Sequence, residues 1–231
     1  MPFDLAVHGY RHVAYASLTP SEQRADLDAA VGAFSRVGLA PRGFRSPYLK
    51  AGRATKSILR ERGLGFDSSD SHFLLPDDHP AAPDAFDLAL RRYGAVAKGP
   101  AVPTLEGGVV ELPVALPDDE ILIDGLRIRN VAVLERILLS MVDFAHQFES
   151  LLVLQVHPER WNIVAPALHR VAERAADLSV WGASLSDIAA WVVRRFPRTK
   201  GWPDGHAFAL SITGDLDAIA LGDYARRLWG S

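Results

Sequence analysis

The sequence predicts an α/β protein, in the form of a distorted or incomplete (β/α) barrel. Apolar segments of strand length alternate with amphipathic helical segments along most of the 231 residues, which is typical of α/β folds with parallel sheets. Polar clusters follow three of the apolar segments, at the strand ends where barrel enzymes place their active sites. These clusters are His8 to His12 after residues 3–7, His157 after residues 151–156, and Asp215 with Asp217 after residues 208–212.

The first part of the chain contains one clearly delimited helix and a shorter one. Residues 19–22 form a capping box with proline at the first helical position, and Gly38 ends the helix. A second helix is predicted over residues 54–62, and it leads into a short strand over residues 64–66. Its end is marked by Gly63.

The rest of the chain continues the alternation after a long interruption. Residues 74–108 are rich in Pro, Asp and Gly, so we expect a loop region with an irregular strand over residues 87–93. Loops of this length often serve as lids. The elements predicted after it are a helix over 131–148 capped by Asn130, a strand over 151–156, a helix over 163–177, a strand over 179–182, a helix over 184–195, a turn-rich connector over 197–205 and a strand over 208–212.

Two histidines lie four residues apart where the first predicted strand ends. His8 and His12 can both face one ion at this spacing, which is typical of metal sites, although it also occurs by chance on protein surfaces. The chain has no cysteine, so a bound metal would be held by histidine, carboxylate and water.

Four short polar motifs stand out, namely His8-Gly9-Tyr10-Arg11-His12, Arg45-Ser46-Pro47-Tyr48, Leu154-Gln155-Val156-His157 and Asp215-Leu216-Asp217. Together they resemble those of the NodB-like polysaccharide deacetylases, carbohydrate esterase family 4. The similarity spans nearly the whole chain, and three of the motifs occur in the family's order. In this order they are similar to the family's metal-binding histidine motif, to Arg-x-Pro-Tyr, to Leu-x-x-His and to Asp-x-Asp.

The resemblance implies a metal centre and its catalytic neighbours. His8, His12 and Asp217 would hold a divalent metal, with Zn²⁺ as the first choice. Such a site keeps open positions for water and for the substrate carbonyl.

It also implies the roles of four further residues. Asp215 would be the general base, His157 the acid that protonates the leaving amine, and Arg45 the residue that orients the base. The backbone N–H of Tyr48 would contribute to an oxyanion hole.

Each of these residues also has a purely structural interpretation. Asp215 and Asp217 could cap a following helix, and His157 could simply end a strand. The ring of Tyr48 could be packing. The family's later tryptophan motif is absent after Asp67, so Trp161 and Trp181 are candidates for the wall of the acetyl pocket by position only.

The order of the motifs departs from that of the family. The carboxylate motif comes first in the family but last here, so the chain is either a circular permutant or a fragment whose last residues begin a new copy of the domain. We expect one domain over residues 1–231, with a main body over 1–196 and a segment over 202–231 that resembles the family's first strand and helix. One βα unit of about 30 residues has no counterpart, so the barrel would be open or completed by a second copy of the chain in a homo-oligomer.

Composition restricts the remaining possibilities. The formal net charge of −3 without a basic run argues against nucleic-acid binding. No apolar segment reaches the length of a membrane span, and the N-terminus lacks the profile of a signal peptide, so the chain as given is expected to be cytoplasmic. If the reading frame is truncated, an export signal could belong to the missing part.

The sequence therefore predicts metal-dependent hydrolysis of an N-acetyl amide on an amino sugar, within a polysaccharide or its precursor. Two alternatives stay open. One is a cyclic amide or imide hydrolase on the same scaffold, and the other is a non-catalytic carbohydrate-binding or assembly protein with an incomplete barrel.

Overall fold

The computed structural model describes residues 4–195 and 201–216 and confirms the α/β class. Six helices and eleven short strands alternate along these residues. The helices are α1 (Pro20–Arg36), α2 (Thr55–Glu61), α3 (Ala82–Tyr93), α4 (Val131–Gln147), α5 (Trp161–Asp177) and α6 (Leu185–Arg195). The strands are β1 (Ala6–Val7), β2 (Gly43–Phe44), β3 (Phe66–Asp67), β4 (Ser71–Phe73), β5 (Ala97–Lys98), β6 (Thr104–Glu106), β7 (Val109–Glu111), β8 (Val114–Leu116), β9 (Leu151–Val156), β10 (Val180–Gly182) and β11 (Phe208–Gly214).

The strands form two sheets, and the chain passes directly from the first sheet to the second twice, from β3 to β4 and from β7 to β8. One sheet has the order β1-β2-β3-β7-β6 and the other β10-β11-β9-β8-β4-β5, and every pairing is parallel except β6 with β7. Phe66 pairs with Val110 in the first sheet, and Ser71 pairs with Val114 in the second. One extra residue therefore lies between β3 and β4 compared with β7 and β8, and it bends the ladder as a bulge does. The two sheets follow one another around a curved, barrel-like wall.

Strand β11 occupies an interior place in this wall although it comes last among the strands. It pairs in parallel with β9 on one side and with β10 on the other. The wall is not a closed ring within the described residues, since β1 and β10 are edge strands. The Asp4 carboxylate accepts a hydrogen bond of 2.8 Å from the backbone N–H of Ser186, which ties the start of β1 to the beginning of α6.

Parallel pairing brings the carboxyl ends of the principal strands to one edge. The interior of the wall is apolar, and one large cluster of buried side chains extends from Phe66 through β8 and β9 to Phe208. A smaller apolar cluster, which includes Val7, Leu27 and Phe44, packs α1 and α2 against β1 and β2. The loops that follow the strand ends are thus fixed on a packed base.

Local signals predicted most helices within a few residues. The capping box is present, since the Thr19 side chain accepts from the Glu22 N–H and the Glu22 carboxylate accepts from the Thr19 N–H. Asn130 caps α4 as expected. The prediction of an irregular strand over residues 87–93 was wrong, because that segment belongs to α3.

Helix α3 was missed because its proline suggested a loop. Pro83 lies in the first turn, where a missing N–H and a fixed φ are tolerated. The buried face repeats at helical spacing through Ala85, Ala89 and Tyr93, and Gly94 with φ of +86° ends the helix. Across the two described stretches, none of the helices combines the length and the apolar composition that crossing a bilayer requires.

The interior place of β11 predicts unequal effects of two alanine substitutions in this strand. Phe208 is fully buried, whereas Ile212 is 45% exposed. Phe208→Ala should lower the free energy of unfolding by about 3 to 5 kcal/mol, because a large cavity replaces the ring. Ile212→Ala is the matched control and should cost about 1 kcal/mol or less. Urea unfolding followed by circular dichroism checks this, and equal losses would contradict the placement of β11.

Candidate functional site

A buried ion pair joins the arginine motif to the end of β11. The Arg45 guanidinium donates from Nη1 to Asp215 Oδ1 at 2.7 Å, and both side chains are more than nine-tenths buried. The same Nη1 donates to the Thr213 hydroxyl at 2.8 Å. On the other side, Arg45 Nε and Nη2 donate to the carbonyl and the hydroxyl of Ser68. The guanidinium is therefore fixed from two directions, as its planar array of donors allows.

In the sequence, the acids that could pair with a buried Arg45 are Asp215 and those within residues 67–70. The structure places Asp215 there, whereas β3 contributes the neutral Ser68 to the guanidinium. Asp215 Oδ2 is also buried, and it accepts no hydrogen bond from residues 4–195 or 201–216. One oxygen of this carboxylate is thus held by the ion pair, while the second has no hydrogen-bond partner among the described residues.

His8 and His12 lie side by side just after β1. Their ring centroids are 5.2 Å apart, and the His12 ring also contacts the ring of Tyr48 at 4.8 Å. His8 Nδ1 lies 2.9 Å from the backbone carbonyl oxygen of Arg45. A carbonyl can only accept, so this bond requires the proton on Nδ1 and assigns the lone pair of neutral His8 to Nε2. Arg45 therefore contacts a candidate base through its side chain and a candidate metal ligand through its backbone.

The described residues supply part of the donor set that a metal ion needs. Two adjacent imidazoles, one of them oriented by a backbone carbonyl, match the nitrogen ligands of zinc sites. Within the stretches that the structure describes, no group of three ligating side chains converges. Asp217, the third ligand predicted from the sequence, lies outside the described residues. The histidines fit a divalent ion, and the placement of Asp217 stays a prediction.

His157 lies at the end of β9 and is oriented by a carboxylate that the sequence analysis missed. Asp119 Oδ1 lies 2.6 Å from His157 Nδ1, and its Oδ2 accepts from the His157 backbone N–H at 2.7 Å. Both side chains are almost completely buried. A signal was present, since Asp118 and Asp119 follow the segment of β8 after a single proline, and Asp215 likewise follows β11. The sequence analysis applied that criterion to only three strands.

Tyr48 occupies a strained position at the mouth of the site. Its φ is +59°, which is uncommon for a non-glycine residue, and its side chain is about half exposed. The ring contacts the His12 imidazole at the surface and is not part of the apolar core. Core packing therefore does not explain the position of Tyr48, and its role in the site stays a prediction.

The two tryptophans considered for the acetyl pocket have different surroundings. Trp181 packs against Trp191 and Trp202, with centroid distances of 6.1 Å to each, and belongs to a structural aromatic cluster. Trp161 is 51% exposed and borders an open cleft of about 420 Å³. The same cleft is lined by Val156, Pro158, Ile212, Thr213 and Gly214, which adjoin His157 and Asp215. Of the two, only Trp161 borders the cleft beside His157 and Asp215, so it stays the predicted wall of the acetyl pocket.

Two buried acids, Asp67 and Glu111, support the backbone of the arginine motif through Ser69. Asp67 of β3 pairs in register with Glu111 of β7, and both are almost fully buried. Burial raises the pKa of Asp67 to about 7, and burial together with the nearby Asp67 raises the pKa of Glu111 well above its ordinary value. Ser69 donates to Asp67 and accepts from the Ser46 N–H at 2.9 Å. The pair therefore anchors the residue that follows Arg45.

Comparison with known proteins gives consistent matches. Residues 1–66 match the family model for polysaccharide deacetylase. A crystal structure assigned as a polysaccharide deacetylase from Mycobacterium smegmatis aligns with 86% of this chain at 25% identity and a TM-score of 0.63. One from Pseudomonas aeruginosa PAO1, also assigned as a polysaccharide deacetylase, aligns with 84% of this chain at 18% identity and a TM-score of 0.61.

The chain covers only part of each of these two solved structures. The chain spans 66% of the first structure and 60% of the second. The comparison with curated proteins gave no match. Residues 1–66 include both the histidine motif and the Arg-x-Pro-Tyr motif, and the resemblance predicted from the sequence is confirmed for the fold. The roles of the individual site residues stay predictions.

The buried ion pair predicts a large loss of stability when one partner is removed. Arg45→Ala leaves the Asp215 carboxylate buried without its counter-ion, and the free energy of unfolding should fall by about 3 to 5 kcal/mol. Arg24→Ala is the control, since Arg24 pairs with Glu61 at the surface and its loss should leave stability nearly unchanged. Chemical denaturation of both variants measures this. A stable Arg45→Ala protein would show that the pair is not formed in solution.

Proposed function

We propose that this chain hydrolyses the N-acetyl amide of an amino sugar within a polysaccharide or its precursor, in a metal-dependent reaction. The observation that carries the proposal is the ion pair between Arg45 and Asp215, two residues 170 positions apart in the sequence. The fold alone does not require this pair, because burying two charges is costly. It joins the Arg-x-Pro-Tyr motif to the Asp-x-Asp motif and so favours one common site.

His8, His12 and Asp217 would hold the metal ion in this proposal. A divalent ion bound there would polarise the amide carbonyl and lower the pKa of a bound water. The donors are imidazole and carboxylate in a chain without cysteine, which suits Zn²⁺.

Asp215 would take the proton from the attacking water. Its Oδ1 is held by Arg45, so the orientation of the carboxylate is fixed before the substrate binds. Its buried Oδ2 accepts no hydrogen bond from the described part of the chain, and this oxygen would receive the proton. Arg45 is thus a positioning residue for the base.

His157 would protonate the leaving amine. An amide nitrogen is a poor leaving group unless it gains a proton as the carbon–nitrogen bond breaks. Asp119 accepts from Nδ1, which fixes the orientation of the ring. The proton donated to the amine would come from Nε2, the nitrogen on the far side of the ring.

The substrate class is inferred from the mouth of the site. Trp161 presents its ring along the open cleft, and Tyr48 presents its ring beside His12. Exposed aromatic faces suit the apolar CH face of a sugar ring. The backbone N–H of Tyr48 would contribute to the oxyanion hole, together with the metal.

His12→Ala should abolish stable metal binding and most hydrolysis while leaving the fold nearly intact. The variant loses one of only three proposed protein ligands, and the loop lies at the mouth of the barrel. Metal content after dialysis and chelator treatment of the wild type measure this. His169→Ala on the exposed face of α5 is the control and should keep both metal and activity. Full metal retention in His12→Ala would exclude this histidine as a ligand.

Base and acid can be separated by the choice of leaving group. Asp215→Asn and His157→Ala should each lower turnover of an N-acetylated amino sugar by about two to four orders of magnitude with metal still bound. On an acetate ester of a good phenolate leaving group, which needs no proton, His157→Ala should retain much more activity than Asp215→Asn.

The outcomes also separate the alternatives. Equal losses on amide and ester would remove the acid role from His157. A wild-type chain that binds metal and sugar but hydrolyses neither substrate would support the non-catalytic alternative. A wild type that opens cyclic imides but leaves acetylated sugars intact would support the cyclic amide or imide hydrolase. The mass of the active species in solution shows whether the chain is a homo-oligomer, which completion of the wall by a second copy would require.

A further inference from the structure

The loop between the two candidate metal ligands is held by one carboxylate of α1. Asp26 Oδ2 accepts from the backbone N–H of Tyr10 at 2.8 Å and from the hydroxyl of Tyr15 at 3.0 Å. Asp26 Oδ1 accepts from Arg11 twice, from its backbone N–H at 3.2 Å and from its Nε at 2.9 Å. Four hydrogen bonds therefore converge on one side chain, and three of them come from Tyr10 and Arg11, two of the three residues between His8 and His12.

The conformation of this loop leaves little room for adjustment. Gly9 has φ of +78°, and a Cβ there would lie 2.9 Å from the Arg11 carbonyl oxygen and 3.4 Å from Asp26 Oδ2. Glycine is therefore needed both for its backbone conformation and for the approach of the Asp26 carboxylate. The path of the chain from His8 to His12 is fixed by its contact with α1.

Asp26 is a charged acceptor in a closed environment. Its side chain is fully buried, while that of its partner Arg11 is 58% exposed. Burial opposes ionisation, but the hydrogen bonds from Arg11, Tyr10 and Tyr15 outweigh it, and the pKa of Asp26 lies below its ordinary value. A neutral amide of the same shape could not accept all four bonds, because one of its two ends donates.

We propose that Asp26 is a positioning residue that holds the His8 and His12 imidazoles at the separation that one metal ion requires. This inference rests on the proposed function, since it takes the two histidines as ligands. The four hydrogen bonds of Asp26 come from Tyr10, Arg11 and Tyr15, so Asp26 acts on the imidazoles through the backbone of Tyr10 and Arg11. It is a support outside the ligand set, of the kind that tunes metal affinity in known sites.

The test compares two aspartates on the same helix. Asp26→Asn keeps the size of the side chain but removes the charge and one acceptor, and we expect it to bind Zn²⁺ about 10- to 100-fold more weakly. Asp28→Asn is the matched control, because Asp28 is exposed and pairs with Arg62 away from the loop. It should bind Zn²⁺ like the wild type. Affinity is measured by competition with a chromophoric chelator, under conditions where circular dichroism shows each variant folded.

Two further measurements keep the proposal falsifiable. The visible absorption of the Co²⁺-substituted protein reports ligand geometry, and its bands should shift in Asp26→Asn and stay unchanged in Asp28→Asn. If Asp26→Asn does not fold, Tyr15→Phe carries the test, since it removes only one hydrogen bond to Asp26 and keeps the buried ring. It should weaken Zn²⁺ binding in the same direction by a smaller factor.

The outcomes distinguish this inference from the proposed function. Wild-type affinity and an unchanged Co²⁺ spectrum in the folded Asp26 variant, or in Tyr15→Phe when it replaces that variant, would overturn the positioning role alone. Equal weakening in the Asp26 and Asp28 variants would overturn it as well, because a general effect of α1 would then explain both. A wild-type chain that binds neither Zn²⁺ nor Co²⁺ would overturn the proposed function and this inference together.

Discussion

The ion pair between Arg45 and Asp215 is the constraint on which the arrangement of the site depends. Two buried charges are stable only when each satisfies the other and the remaining donors find acceptors. Thr213 and Ser68 provide those acceptors from two different parts of the wall. The pair can form only if β11 lies beside β9 and if β2 ends at the same edge. The sheet order and the position of the candidate base are therefore one requirement.

A second layer of carboxylates supports the residues at the strand ends. Asp119 orients the His157 ring, Asp26 holds the loop between the two histidines, and Asp67 reaches the backbone after Arg45 through Ser69. These acids lie on β3, on α1 and in the loop after β8, so the site is supported from several elements. Buried carboxylates that accept several hydrogen bonds restrict the groups they hold. The side chains proposed to meet the substrate are thus already arranged by the fold.

The parts that sequence analysis predicted are those determined locally. Three of these features depend only on neighbouring residues, and the structure contains each of them. They are the capping box at Thr19, the Asn130 cap and the apolar run of β9. Helix α3 was missed because proline is common in loops and is also tolerated in the first turn of a helix, where Pro83 lies.

The partner of Arg45 and the support by Asp119 and Asp26 depend on tertiary contacts, which a single sequence does not specify. Asp26 gave no signal of its own, since acids on an amphipathic helix are usually solvated. Asp119 did follow a strand, and the strand-end criterion would have identified it. The contact between Asp217 and the histidines stays a prediction.

The interior position of β11 has a consequence for how the protein is made. Until residues 208–214 have been synthesised, β9 lacks a neighbour on one side and β10 has no partner in the sheet. Nascent chains would carry these unpaired edges, which favour association with other chains. The contact between Arg45 and Asp215 also spans a long stretch of sequence, which slows its formation. Substitutions in β11 would therefore lower the yield of folded protein during biosynthesis, in addition to their effect on the stability of the folded state.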